Sequence, residues 1–441
     1  MHPLQKYKNE KFAIYGMGLT GFAVAKTLKK LNVEIFCWDD NQQIRKKIKK
    51  NNFKVKKFWV ENNFIDKIVI SPGIDINKCK IKNYLLTNSK KIITDLDLFF
   101  EFNRDSLIIS ITGTNGKSTT CKIIEQILNE ANYKVKTVGN IGSPIFAFHN
   151  IKKRKEILIL EVSSYQLQYS NLFRSKHAAI LNISNDHMDR HKNLKNYIKI
   201  KSKIFLAQKS SDYSYVNLAN KYSKSIIGIL KKKRINSKII AINYPSHNLL
   251  LKKIKNKYFT SKGNIENMIF AYKIAKKLKV SDNIIIKSLN KFKGLSHRQE
   301  IVFKNKKLLC INDSKATSFD ACLQSLSNYN KIYWIVGGLP KDKDKFYLEK
   351  VKKRIVKAYI IGKNISFFRK QIGKKIPFSV SYNIKNAIRK INKDLKFNHN
   401  EQKTILLSPA AASFDQFINF ENRGDFFKKQ VIKKFKFKSN V

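Results

Sequence analysis

The sequence predicts an α/β protein with mostly parallel sheets, laid out in three consecutive segments. Three observations carry this. Short apolar runs alternate with polar, helix-length stretches along the whole chain; two of these runs end in glycine-rich turns that open helices; and 441 residues are too many for one core.

In the first segment, up to about residue 97, FAIYG, VEIFCW and IVISPG read as strands. The first leads into Gly16-Met17-Gly18-Leu19-Thr20-Gly21, a GxGxxG turn. Asp39 ends the next strand, where a dinucleotide fold places its ribose acceptor. Taken alone, the turn suits NAD, another nucleotide diphosphate, or close packing of a helix on a strand.

The second segment, residues 98–295, contains SITGTNGKSTT from Ser110 to Thr120, after the apolar run Leu107-Ile108-Ile109. Such a turn suits a phosphate. Glycines let backbone N–H groups converge on an anion, and the following helix offers its positive end. Lys117 adds a point charge, and Ser118 can ligate Mg²⁺. The common phosphate loop needs a glycine where Ile111 stands, so the loop here is the shorter Gly113-Thr114-Asn115-Gly116-Lys117-Ser118-Thr119.

Further along, EILILEVSSYQL places Glu161 at the end of a strand at the same sheet edge. There a carboxylate can hold Mg²⁺ against phosphate oxygens, or act as a helix N-terminal acid. NISNDHMDRH puts Asp186, His187, Asp189 and His191 past another strand, and both metal binding and an ordinary histidine pair fit. Lys201 and Lys203 in YIKIKSKIF read by themselves as a solvated helix face. The third segment, residues 296–441, alternates strand and helix again through LLCINDSKATS, KIYWIVGG, KAYIIG and KTILLSPAAASFDQF.

The formal charge of +58 comes from 89 Lys and Arg against 31 Asp and Glu. Lysine is spread from Lys6 to Lys438 among abundant Asn, Ile, Phe and Tyr, so a coding bias accounts for it and no specific nucleic-acid partner is expected. Five cysteines without a CxxC pair form a reduced, cytoplasmic pattern. MHPLQKYKNEKFAIYG lacks the apolar core of a signal peptide, and no run is long enough for membrane insertion.

The order TGTNGKST, VGNIG, LEVSSYQL, NDHMDRH, YxxxKxxIF, GLSHR, NDSKATS and LLSPAAASFDQFINFENRG resembles the Mur ligase superfamily over nearly the whole chain. GLSHR, NDSKATS and SPAAASFDQF together are most similar to its D-glutamate-adding branch, and the Asn-Pro-Arg motif of the lysine- or diaminopimelate-adding enzymes is absent. The resemblance implies an N-terminal Rossmann-like domain (1–97) for a UDP substrate and a central P-loop ATPase (98–295). It also implies a C-terminal Rossmann-like domain (296–441) closing over ATP and the amino acid. It implies ATP, two Mg²⁺ ions, UDP-N-acetylmuramoyl-L-alanine and D-glutamate as ligands of a monomer, joined through an acyl phosphate.

By that resemblance Lys117, His187 and Lys201 are catalytic, Ser118 and Glu161 hold one Mg²⁺, and His187 with a carbamylated Lys201 serves the second. Asn267, Arg298 and Asp313 join the loop in binding ATP. Leu19, Thr20, Ser71, Pro72 and Gly73 receive the UDP substrate, Asn140 contacts the substrate or metal region, Lys315, Thr317, Ser413 and Phe420 receive D-glutamate, and Lys341 adds a cation to the substrate site. The chain departs from the family pattern in Gly263-Asn264 for His-Asn, in Asp39-Asp40-Asn41 for an Asp-Thr-Arg-like segment, and in GGLPKDKDKF for a DGKGADF-like loop.

Overall fold

Strand order determines where the glycine turns lie. The computed structural model describes residues 7–60, 64–139, 145–148, 156–243, 248–340, 345–395 and 401–435. Among them the first sheet holds β1 (Lys11–Tyr15), β2 (Glu34–Trp38), β3 (Lys54–Val55), β4 (Lys67–Ile70) and β5 (Ile92–Ile93). Their order is β3-β2-β1-β4-β5, every pairing parallel. The second sheet holds β6 (Leu107–Thr112), β7 (Val135–Gly139), β8 (Ile157–Glu161), β9 (His177–Ile180), β10 (Tyr213–Asn217) and β11 (Lys238–Ile242). It runs β11-β10-β9-β6-β8-β7, again all parallel. In each, the strand that ends in a glycine turn, β1 or β6, is flanked on both sides, so chain crossovers leave in opposite directions and a crevice opens at its carboxyl end.

The third sheet comprises β12 (Glu300–Lys304), β13 (Leu308–Asn312), β14 (Ile332–Gly337), β15 (Ile355–Ile361), β16 (Phe378–Tyr382) and β17 (Lys403–Leu407), ordered β12-β13-β17-β14-β15-β16. Only the β12–β13 pairing is antiparallel. The chain divides into two compact units, one up to Phe292 with the first two sheets and one from Lys293 with the third.

The apolar runs become strands because helices cover both faces of each sheet: every residue of β8 and β14 is buried, as parallel strands require. The helix Lys117–Glu130 turns Ile123, Ile124, Ile127 and Leu128 inward at helical spacing, into one core with Met268, Ile269 and Ala271 of the helix Lys262–Lys277.

Buried Asp97 links the first two sheets. It forms a capping box with Thr94 at the start of the helix Asp95–Phe102, while its Oδ1 accepts from Ser170 Oγ at 2.6 Å and from the N–H groups of Leu172 and Phe173 at 2.8 and 3.0 Å. Losing that carboxylate would strand several buried donors at about 1–3 kcal/mol each. Among the described residues no helix is long and apolar enough to cross a membrane.

Candidate active site

The phosphate-type loop leaves β6 and enters the helix Lys117–Glu130 through Gly116, whose φ is +85°. A Cβ there would stand 2.2 Å from Asn267 Oδ1, so the close approach of Asn267 to the loop also demands glycine. The loop is pinned from β9's exit. Thr114 N–H donates to Asn182 O at 3.0 Å, Asn115 N–H to Asn182 Oδ1 at 2.9 Å, and Ser184 N–H to Thr114 Oγ1 at 3.0 Å. Lys117 Nζ folds over the loop onto the carbonyls of Gly113 and Thr114 at 2.9 and 2.8 Å.

Beneath it, Ser118 Oγ donates to Glu161 Oε2 at 2.5 Å, both side chains buried, with Thr119 buried beside them. Glu161 arrives there because β8 pairs with β6 in a register that sets Ile111 opposite Glu161.

His187 adopts φ +56° at the N-cap of the short helix Met188–His191, a left-handed conformation that histidine, like asparagine and aspartate, takes more readily than most non-glycine residues. Its Nδ1 is hydrogen-bonded to Tyr165 OH at 3.1 Å, and its Nε2 lies 3.3 Å from Asp186 Oδ2. His191 is fully buried, bonded through Nε2 to Ser164 Oγ at 3.0 Å, and burial pushes its pKa down to about 4. It braces the site from behind.

Lys201 and Lys203 do not form a solvated face. Lys201 is 1% exposed, its Nζ donating to Gly113 O at 3.0 Å and Thr112 Oγ1 at 3.3 Å, over the Tyr197 ring. Burial, reinforced by Lys117, holds its pKa well below the ordinary lysine value, which favours the neutral amine. Lys203 Nζ instead closes the carbonyls of Gln168 and Ser170 at 2.8 and 3.1 Å. The helix Leu194–Ser202 buries Tyr197, Ile198, Ile200, Lys201 and Ser202, more of its circumference than an amphipathic surface helix would.

Thr114, Lys117, Asp186, His187, Tyr197 and Lys201 line a cavity of about 370 Å³ whose wall is completed by Pro72 and Gly73 from the exit of β4. Ser71 Oγ donates to Gly16 O at 2.5 Å, joining that exit to the GxGxxG turn. Leu19 is 80% exposed and Thr20 half-buried at the start of the helix Leu19–Lys29. Asp39 is tied into the glycine turn. Its Oδ2 accepts from Met17 N–H at 2.7 Å and its Oδ1 from Asn41 N–H at 2.9 Å, so the carboxylate shapes the turn itself.

In the second unit, Asp313 is buried, accepting from Ser325 Oγ at 2.5 Å, Ser408 Oγ at 2.9 Å and Gln299 N–H at 3.2 Å; burial pushes its pKa up to about 6. Lys315 Nζ lies 4.9 Å from the centre of the Phe420 ring. Thr317 and Arg298 are half-buried, and Ser413 is buried with its carbonyl accepting from Phe417 N–H at 2.8 Å. Asn140 and Lys341 lie outside the described residues.

Sequence reasoning passed over Tyr165, Asn182 and Arg423. Arg423 is buried, and its Nε and Nη2 donate to Ser314 Oγ, Ser314 O and Ala411 O at 3.0, 2.8 and 3.0 Å, tying three motif loops together. Its place in FENRG was the available signal.

A glycine loop at the switch point of a parallel sheet, opening a helix and backed by a strand-end carboxylate, defines the phosphate-loop class of α/β proteins. The family described as the Mur ligase middle domain matches residues 111–284. The UDP-N-acetylmuramoylalanine--D-glutamate ligase of Rickettsia prowazekii (strain Madrid E) is 34% identical over 441 residues, covering 96% of this chain and 98% of its own. That of Rickettsia felis is 32% identical, covering 97% and 98%. Among solved structures, the UDP-N-acetylmuramate-alanine ligase of Thermotoga maritima aligns over 96% of this chain and 99% of its own, with a TM-score of 0.53 at 14% identity, a likeness of fold. The chain belongs to the Mur ligase family.

Proposed function

We propose that this chain is an ATP-dependent ligase that joins D-glutamate to UDP-N-acetylmuramoyl-L-alanine in peptidoglycan synthesis. The observation that carries the reading is the single cavity in which Thr114, Lys117, His187 and Lys201 meet Pro72 and Gly73. Phosphate-handling groups and the glycine-turn sheet there share one space. The full-length similarity to D-glutamate ligases supports the choice of amine.

A carboxylate is a poor electrophile. Its oxygen therefore takes the γ-phosphoryl group of ATP, giving an acyl phosphate and ADP. The neutral amine of D-glutamate then adds to the carbonyl, and phosphate leaves with the amide formed and the amine proton released. Loop N–H groups and Lys117 neutralise charge on the transferring phosphoryl group. Asn267, Arg298 and Asp313 are assigned to ATP binding, Asp313 by shaping the end of its strand. Leu19, Thr20, Ser71, Pro72 and Gly73 are assigned to the UDP substrate, with residues 1–97, 98–295 and 296–441 as domains. Lys315, Thr317, Ser413 and Phe420 are assigned to D-glutamate.

The donor set fits Mg²⁺. Ser118 and Glu161 offer two adjacent oxygens, and among the described residues no three His, Cys, Asp or Glu side chains gather into a cage, so the remaining ligands are phosphate oxygens and water, as Mg²⁺ prefers. When bound, the ion supplies charge stabilisation to phosphate oxygens. Lys201, buried beside His187's cavity, is assigned as a carbamate: its neutral amine adds to CO₂, forming the N–C bond and releasing one proton, and becomes an anionic oxygen donor. The test is phosphate release from ATP with each UDP-muramoyl precursor against a panel of L- and D-amino acids. Turnover is expected with UDP-N-acetylmuramoyl-L-alanine and D-glutamate; turnover driven by lysine, diaminopimelate or nucleic acid instead would overturn the assignment.

A further inference from the structure

Arg190 lies at the meeting of the first two sheets, and none of the roles above uses it. Its Nε donates to Gln168 Oε1 at 2.7 Å, its Nη1 to Gly73 O at 3.3 Å, and its Nη2 to Ile74 O at 2.5 Å and, at the limit of a hydrogen bond, Pro72 O at 3.5 Å. The guanidinium also covers the rings of Tyr165 and Tyr169, 5.3 and 5.9 Å from their centres. Those tyrosines reach opposite ways. Tyr165 OH meets His187 Nδ1, and Tyr169 OH accepts the N–H of Ile76 at 3.0 Å.

One planar side chain thus grips three successive carbonyls at the exit of β4 while lying on the tyrosine that orients His187. Pro72 and Gly73 are walls of the cavity that Tyr165 and His187 also line. A lysine could not replace this arrangement, because a point charge neither forks to several carbonyls nor stacks on a ring.

We infer that Arg190 is a positioning residue that couples the UDP-precursor loop, Pro72 to Ile74, to the catalytic His187 through Tyr165, so that precursor binding and His187 placement are set together. This rests on the ligase reading for its kinetic consequence but not for the clamp. Loss of the fork removes charge-assisted hydrogen bonds from the precursor loop and frees the Tyr165 ring at once, so both ends should respond to one substitution.

The test compares wild type, Arg190→Ala and Arg190→Lys in three measurements on the full chain. Hydrogen exchange over residues 71–77 needs no turnover, and Arg190→Ala should exchange there at least tenfold faster. In steady-state kinetics, Arg190→Ala should raise KM for UDP-N-acetylmuramoyl-L-alanine about ten- to hundredfold and lower kcat about tenfold. KM for ATP should stay within about twofold, and Arg190→Lys should recover only part of either loss. Thermal melting shows whether the variant folds. Unchanged exchange over residues 71–77 would overturn the clamp. A lower Tm with KM for the precursor and kcat unchanged would reduce Arg190 to a strut and overturn the coupling. Absence of D-glutamate-dependent turnover in the wild type would instead count against the ligase reading, and the exchange result would still decide the clamp.

Discussion

Ser118 Oγ and Glu161 Oε2 stand 2.5 Å apart, one from the first turn after the phosphate-type loop and the other from the end of β8. Parallel registry between β6 and β8 sets Glu161 opposite Ile111, and the loop that leaves β6 carries Ser118 back over it at the start of the helix Lys117–Glu130. Glu161→Gln keeps the hydrogen bond but removes the charge that a cation requires. Its kcat should fall about a hundredfold or more, with Tm little changed. Ser118→Ala should cost less, because the carboxylate remains. Equal, mild effects from both substitutions would identify the pair as a structural hydrogen bond.

Lys201 and Lys203 should behave differently although only one residue separates them. If Lys201 carries the proposed carbamate, Lys201→Ala should be nearly inactive and partly restored by a short carboxylic acid such as acetate, which would fill the vacated space. The native protein equilibrated with ¹³CO₂ should show a carbamate carbon signal that Lys201→Ala lacks. Lys203→Ala should keep the chemistry but lose stability, since its amine closes the carbonyls of Gln168 and Ser170. Near-normal turnover by Lys201→Ala, in CO₂-free and CO₂-rich buffer alike, would count against the carbamate.

Much of this site was legible before any coordinates. The phosphate-type loop, Glu161 and His187 each follow an apolar run, and strand ends in open α/β sheets are where ligand groups collect. The burial of the lysines was not legible in the residue pattern, although the family resemblance singled out Lys201. Lys199, Lys201 and Lys203 alternate in sequence like a wet surface, and only the packing of the helix Leu194–Ser202 under the loop separates them. Asp39 sits at the position that either a ribose acceptor or a turn lock would occupy, and only the distances show that it braces the turn. Arg190 grips carbonyls more than a hundred residues away, a contact that no local pattern encodes.

Each Asp39 oxygen accepts one backbone N–H, from Met17 or Asn41, so the carboxylate braces the GxGxxG turn. On the proposed ligase function, titration should give saturable binding of UDP-N-acetylmuramoyl-L-alanine and none of NADH. Saturable NADH binding without binding of the UDP compound would reverse the assignment of the first sheet.

His177 sets a pH dependence of stability. It is 2% exposed, stacked on Tyr213 and hydrogen-bonded through Nδ1 to Tyr215 OH, and burial, aided by Lys176 and opposed by Asp212, pushes its pKa down to about 4. The unfolded chain takes up a proton near pH 6.5 that the folded chain refuses, so this contribution is present above about pH 6.5 and is lost as pH falls toward 4. His177→Gln, which keeps a polar partner for Tyr215, should shrink the loss of unfolding free energy between pH 7 and pH 5 by roughly 2 kcal/mol. Urea unfolding at the two pH values reads this directly; an unchanged pH slope would show that His177 does not carry it.

In the proposed reaction a substrate carboxylate oxygen takes the γ-phosphoryl group before the amine attacks. UDP-N-acetylmuramoyl-L-alanine carrying ¹⁸O in both carboxylate oxygens, turned over with ATP and D-glutamate, tests it most directly by mass spectrometry of the released phosphate. An acyl phosphate requires one ¹⁸O in every phosphate and one retained in the amide carbonyl. Phosphate free of ¹⁸O, with D-glutamyl amide formed at the normal rate, would contradict the account.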